Sequence, residues 1–310
     1  MLITKEISYD DLIESIPSLR RYSICYLTNW SSLDPNFKYF IVQDKTTNSS
    51  VAAFSLYYSK RKGMQHISNP PFFQNCGLWI SKSGKNEYYK NSNIKKALRE
   101  IAEFLSSYKW INISFPPEIE DVQPFIWEGL SAKVRYTYLL SSDELPELIN
   151  GSKGLRSQIK KINSEDVNYS SSLNSEGLGL IENSSLLGRK DHEKSYFKNL
   201  YKSLQELESF ISITATKDGS AGVAAGILVG KSLVYLFGGS DKTEGISLGT
   251  AALVELLAHA KNSGASDIDF EGSMIPGVER YFRSFGAQLT PFYNVSKEPG
   301  LIGVKQALNL

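Results

Sequence analysis

Asp269, Glu271 and Ser273 bring together the side-chain types that proton transfer beside an electrophilic carbonyl requires. In Asp267–Glu271, Ile268 and Phe270 point one way while Asp267, Asp269 and Glu271 point the other, as in a half-buried strand. Gly272 and Ser273 end that strand, and Pro276 suits the first turn of a following helix. A carboxylate there stands at a strand's carboxyl end, where open α/β sheets keep their ligands. Glu271 can act as proton acceptor, or cap the next helix, or pair with Arg280 or Arg283. Ser273 can donate to a developing oxyanion or cap the same helix. Asp269 can couple with Glu271 and raise one carboxyl pKa, or bind hydroxyls of neighbouring strands.

A second set is basic. Arg156 and Lys160 lie four apart in LRSQIKKIN, on one face of a short helix, with Lys161 beside them. Like charges at that spacing oppose a helix slightly. A phosphate-bearing substrate would compensate; a solvated face is the alternative. Arg135 and Tyr136 sit in the strand that leaves the first domain and can face a cleft between domains. Tyr235 lines an acyl channel or packs as core, and Asn69 and Gln74 flank Pro70-Pro71 as candidate hydrogen-bonding groups for a substrate. His66, His192 and His259 lack metal-ligand spacing, and no Ser–His–Asp or Cys–His arrangement is suggested, so no metal is expected.

The elements that must hold these residues occur twice. Tyr39–Val42, Val51–Tyr58 and Met64–Ser68 read as strands, followed by a helix marked by Ile94, Ala97, Leu98, Ile101 and Leu105, and then by the strand WINISF. Phe210–Thr216, Gly222–Val229 and Ser232–Phe237 repeat those strands, with a hairpin turn at Lys217-Asp218-Gly219. The helix around Leu253 and the strand Asp267–Phe270 follow in the same order. Leu98 and Leu253 are 155 residues apart, as are Phe115 and Phe270; Gly129 and Gly286 are 157 apart, as are Tyr136 and Tyr293. Four matches in one order indicate a tandem duplication of a unit of roughly 150 residues, with domains at 1–140 and 141–310. Between the repeats, Tyr196–Leu207 reads as an amphipathic helix.

The element order resembles the GNAT acyltransferase unit, and two copies in one chain resemble the Fem-type aminoacyltransferases. NPPFFQNCG, WEGLSAKVRYTYLL and DFEGSMIPGVERYFRSFGA carry the resemblance, the last two being similar to bacterial Fem-related N-acyltransferases. The resemblance covers most of the chain. It implies an α/β (α+β) fold of two tandem GNAT-like acyl-CoA N-acyltransferase domains, each a mixed, mostly antiparallel sheet flanked by helices. The functional cleft would lie in or beside the second. It further implies transfer of an acyl group from an acyl-CoA thioester or an aminoacyl-tRNA to an amine of a cell-envelope or sugar-linked precursor. GNAT units hold a pyrophosphate on a Q/R-x-x-G-x-G/A loop. The matching stretch here is KTEGISLGTAAL, so Lys242, Gly245, Ser247, Leu248, Gly249 and Thr250 are the implied coenzyme A contacts. It departs from the pattern in having Ser247 where a second small glycine or alanine belongs. The coiled-coil arm of some Fem enzymes is missing as well. A duplicated fold that has lost its chemistry and serves as a binding or scaffold protein is the alternative.

Composition excludes other classes. With 41% hydrophobic and 22% charged residues the chain is an ordinary globular one, and a net charge of +1 rules out a strongly basic chain while permitting a local basic patch. Two cysteines without CxxC spacing fit a reduced, cytoplasmic setting. The acidic start does not fit a signal peptide, and no apolar run approaches the ~18 residues of a membrane span.

Overall fold

The computed structural model describes residues 1–145, 150–171, 179–180, 191–241, 245–272 and 274–300, with backbone alone for 191–196. The first half forms β1 (Leu2–Ile7), α1 (Tyr9–Ser15), α2 (Trp30–Leu33), β2 (Phe37–Asp44), β3 (Ser50–Arg61), β4 (Met64–Ser68) and β5 (Trp79–Ile80). It continues through α3 (Glu87–Ser106), β6 (Ile111–Ser114), α4 (Gln123–Trp127) and β7 (Ser131–Ser141). The second half forms α5 (Lys153–Asn163), β8 (Asn168–Ser170), α6 (Asp191–Gln205), β9 (Phe210–Lys217), β10 (Ser220–Val229) and β11 (Ser232–Ser240). It ends with α7 (Leu248–Asn262), β12 (Asp267–Asp269), α8 (Pro276–Arg283) and β13 (Gln288–Lys297).

Two compact units result. One holds Met1–Arg135 together with the chain from Pro291, the other Tyr136–Thr290. Within the first unit the strand order is β1-β2-β3-β4-β6-β13, and within the second it is β8-β9-β10-β11-β12-β7. In each, three antiparallel junctions precede one parallel junction, β4 with β6 and β11 with β12, and an antiparallel strand follows. The units therefore differ from a cut at 140/141. β7 pairs with β12 through Ile268↔Leu140, and β13 with β6 through Asn294↔Ser114, so the strand order of each unit ends on a strand from the other half of the chain.

Tight turns set the registers. Lys62 and Gly63, between β3 and β4, both have positive φ, as do Asp218 and Gly219 between β9 and β10. That is the requirement of a two-residue hairpin whose twist matches its strands. In the first unit, Leu98, Ile101, Ala102 and Leu105 of α3 are buried in one core with Phe54, Ile67, Ile111 and Ile113. In the second, Leu253, Leu256, Leu257 and Ala260 of α7 share a core with Ile213, Ala224, Leu233 and Ile268. The amphipathic reading of α6 also holds, with Phe197, Leu200, Tyr201 and Leu204 buried. α1 stops at Ser15, and Pro17 opens a separate 3₁₀ turn.

The 155- and 157-residue offsets recur in three dimensions. Buried Asn294 donates from Nδ2 to Asn112 Oδ1 (2.9 Å) and Ser114 Oγ (3.1 Å) across β13 and β6. Thr137, 157 residues before Asn294, donates from Oγ1 to Oδ1 of Asp269 (2.5 Å), 155 residues after Ser114. The first pair is directly opposite, whereas Asp269 faces Leu139 and reaches Thr137 diagonally. Gly129 and Gly286 both have φ +82°, and their N–H groups donate to Ile126 O and Arg283 O, which are again 157 apart. Each ends its helix in the left-handed conformation that favours glycine.

These two glycines make an internal control. A Cβ at Gly129 meets nothing within 4 Å, whereas one at Gly286 falls 2.6 Å from the Asn150 carbonyl carbon. Gly129→Ala is expected to cost about 1–2 kcal/mol, the left-handed penalty alone. Gly286→Ala should cost measurably more in urea unfolding, and equal losses would contradict the close approach.

Candidate active site

β11 and β12 pair in parallel at only three positions, Ser232↔Asp267, Leu233↔Ile268 and Val234↔Asp269. β12 ends there. β11 runs on to Ser240 along β10, with a bulge at Leu236 that shifts the register between Ala225 and Gly226. A bulge bends and overtwists its strand, so the two strands part at their carboxyl ends. The wedge holds aromatic rings. Tyr235 lies 6.5 Å from Phe270 and 5.8 Å from Phe282, and Phe270 stacks on Phe282 at 5.0 Å. A Cβ at Gly238 would fall on the Tyr235 hydroxyl, so a glycine is needed for that ring to fold back along its own strand. Burial pushes the Tyr235 pKa well up and keeps its hydroxyl protonated.

At the mouth the chain turns sharply. Glu271 has φ +54° and Gly272 φ +55°, two successive left-handed residues of which the first is not glycine. That conformation costs about 1–2 kcal/mol for a residue with a Cβ, and such outliers concentrate at functional sites. The Asp269 carboxylate stabilises the turn, since Oδ1 accepts both the Glu271 N–H (2.8 Å) and the Thr137 hydroxyl. The strand alternation therefore stops at Phe270. Glu271 does not extend Asp269's face, contrary to the sequence reading, because its backbone has left the extended conformation. A Cβ at Gly272 would stand 2.1 Å from the Tyr136 carbonyl oxygen, which fixes glycine there. Ser273 lies outside the described residues. α8 starts with Ile275 at its N-cap and no side-chain cap, so Glu271 does not fill that position.

α8 is tied to β7 instead. Glu279 Oε1 accepts from the Tyr138 hydroxyl at 2.6 Å and from Arg283 Nε at 2.8 Å. Arg283 is thus paired along its own helix. The Tyr138 hydrogen bond first, and Arg283 second, hold the Glu279 carboxyl below its ordinary range.

Above the wedge, the loop enters α7. Ser247 caps the helix, its Oγ accepting from Thr250 N (3.2 Å) and Thr250 Oγ1 (3.0 Å), while Gly249 N donates to Ser240 Oγ (3.1 Å). Thr250 Oγ1 also meets the Tyr281 hydroxyl at 3.2 Å, which joins this hydroxyl cluster to α8. Gly222 of β10 lies so close that a Cβ would be 2.2 Å from the Leu248 carbonyl carbon. Lys161 Nζ stands 2.8 Å from where a Gly245 Cβ would be, placing a cation beside the loop. The amides of Gly249 and Thr250, which a phosphate nest would need, are spent on serine hydroxyls. As folded, the helix end does not fit a pyrophosphate unless Ser240 and Ser247 give way. Lys242 lies outside the described residues, whereas Gly245, Ser247, Leu248, Gly249 and Thr250 form this one segment.

Other sequence candidates lie apart. Arg156 and Lys160 line a groove of about 440 Å³ between α5 and the Val254–Asn262 half of α7. That half begins a turn beyond Thr250 and extends, at about 1.5 Å per residue, roughly 12 Å along the axis. Arg135 and Tyr136 are exposed on β7. In the first unit the Asn69 amide is used internally: Nδ2 donates to Gln74 O (2.7 Å), and Oδ1 accepts from Ser114 N (2.9 Å). Sequence reasoning gave no role to Ser240, Tyr281 or Lys261, whose hydrogen-bond partners Gly249, Thr250 and Ser142 lie 9, 31 and 119 residues away. Among the described residues no group of three or more His, Cys, Asp or Glu is placed to hold a metal, and no helix is long and apolar enough to cross a membrane.

No family model and no curated protein sequence matches the chain. Solved structures do. FemX matches with TM-score 0.62 at 14% identity, over 94% of this chain and 96% of its own. L-PGS from Bacillus licheniformis matches with TM-score 0.55 at 13% identity over 98% of each chain. A tandem GNAT protein from the clavulanic acid biosynthesis pathway matches with TM-score 0.54 at 12% identity, over 97% of this chain and 99% of its own. At such identities the likeness is one of fold. The chain has the tandem GNAT-like α/β fold that its sequence implies.

The Glu279 cluster gives a pH test. A carboxyl held low in the folded state stabilises above its ordinary pKa, and that contribution is lost as pH falls through the depressed value. In carbon-detected NMR titration Glu279 is expected below the ordinary glutamate range, rising toward it in Tyr138→Phe; an unmoved midpoint would remove Tyr138 as the main cause.

Proposed function

We propose that the chain is an amide-forming acyl- or aminoacyltransferase, with its reaction centre at the mouth of the β11–β12 wedge. The observation that carries this reading is the left-handed Glu271, held at the carboxyl end of a parted parallel pair. Backbone strain of this kind concentrates at functional sites, and here it falls on a carboxylate at the carboxyl end of a strand. The likeness in fold to FemX and to a tandem GNAT protein supports the same class. The donor is an activated acyl ester or thioester, an aminoacyl-tRNA or an acyl-CoA, and the acceptor a primary amine of a cell-envelope or sugar-linked precursor.

The chemistry asks little of the protein. The amine nitrogen attacks the acyl carbon, the bond from that carbon to oxygen or sulfur breaks, and the nitrogen gives up a proton while the freed oxygen or sulfur takes one up and leaves as hydroxyl or thiol. Glu271 accepts that proton. The Tyr281 hydroxyl, pushed up to about 12 by burial, stays protonated at neutral pH and with Thr250 can donate toward the carbonyl oxygen. Ser240 and Ser247 hold the helix end in place, and the rings of Tyr235, Phe270 and Phe282 exclude water from the wedge.

One observation favours a binding protein without chemistry: the wedge is filled by the protein's own rings, and the neighbouring amides are taken. Assays of amide formation with acetyl-CoA and with aminoacyl-tRNA, against a panel of primary amines, separate the two. Transfer from one donor is expected, with Glu271→Gln lowering kcat about 10²–10⁴-fold and leaving the melting temperature unchanged. Undiminished turnover in Glu271→Gln would remove the proton-acceptor role, and absence of binding and transfer with both donors would favour the non-catalytic reading.

A further inference from the structure

The groove between α5 and α7 has an uncommon combination of linings. Its apolar wall comes from Ile159, Val254, Leu257 and Ala258. Three cations, Arg156, Lys160 and Lys261, line it too, and no carboxylate does among the described residues. Lys261 spends one N–H on the Ser142 carbonyl oxygen at 2.9 Å, which holds its ammonium in place without neutralising it. Arg156 and Lys160 are exposed on consecutive turns of α5. A volume of about 440 Å³ is in the range of small-molecule sites.

Basic residues alone would suit any phosphate, and an apolar wall alone any greasy chain. Their combination selects a ligand with both parts. We propose that this groove binds an anionic amphiphile, a saturated or unsaturated chain carrying a phosphate or carboxylate head. The chain would lie along Val254, Leu257 and Ile159, and the head would meet Arg156, Lys160 and Lys261. Cations able to keep an anion near an apolar surface supply the charge complementarity. The basic pair of α5 thus acquires a ligand more specific than a bare phosphate. This assignment does not depend on the transferase reading, since the groove flanks the Val254–Asn262 half of α7 and the wedge meets that helix at Thr250.

Calorimetric titration of the full chain with monomeric dodecyl phosphate, inorganic phosphate and dodecanol tests it. Each buried methylene is worth about four-fold in affinity, so dodecyl phosphate is expected to bind at least ~100-fold more tightly than inorganic phosphate. Arg156→Gln with Lys160→Gln should weaken dodecyl phosphate at least ~10-fold and leave dodecanol unaffected. Ala258→Phe, at an exposed helix position, should fill the groove and abolish binding while the melting temperature holds. Vesicles of phosphatidic acid and phosphatidylcholine distinguish a bilayer lipid from a free amphiphile, and either source leaves the assignment standing. Equal affinity for inorganic phosphate, an unaffected Ala258→Phe, or no binding of dodecyl phosphate at millimolar concentration would overturn it.

Discussion

β11 and β12 share only three ladder positions, and the second unit is arranged around that short pairing. A strand released from its neighbour leaves backbone groups and apolar side chains that need new partners. β12 solves its share by turning to β7, where the Phe270 N–H donates to Tyr138 O at 3.0 Å. The bulge at Leu236 swings β11 away, and Tyr235, Phe270 and Phe282 close the gap behind it. The price is paid at Glu271, which has to enter a left-handed turn that Asp269 then pins. Strained carboxylate, hydroxyl cluster and aromatic wedge are thus consequences of one divergence.

The first unit shows the same divergence with different side chains at the opening. β4 and β6 pair at Ile67↔Ile111 and Ser68↔Asn112, and then they too part. There the Asn69 side chain bridges the opening, satisfying the Ser114 N–H and the Gln74 carbonyl. An amide with both ends bonded is a structural tie. In the second unit the corresponding space leads to a capped helix and to hydroxyls that bond one another. Duplication supplied two equivalent frames, and the residues at the parting point differentiate them.

Much of this was legible in the sequence because it rests on local rules. Turn glycines, the proline at the start of α8, the hydrophobic face of α3 and the glycines 157 residues apart announce themselves within a few neighbours. The exchange of β7 and β13 between units was not legible, since the pairing of Asn294 with Ser114 links positions 180 residues apart and no local signal distinguishes it. Extending the strand alternation to Glu271 failed for a related reason: period-2 logic cannot see that Asp269 captures the next turn's N–H. Lys261 joined Arg156 and Lys160 only through the packing of α7 on α5, and Ser240 reached Gly249 only through the folded loop.

The central claim is that the wedge mouth receives the acyl donor, and amide NMR of the full chain reads it most directly. Acetyl-CoA and a 3′-aminoacyl-adenosine, a short stand-in for a charged tRNA end, would be titrated while Glu271, Gly272, Gly249 and Thr250 are followed. The account predicts that one donor shifts these four amides together, with Gly249 and Thr250 changing partner as Ser240 and Ser247 yield. Shifts confined to residues 1–135 with these amides unmoved would contradict it.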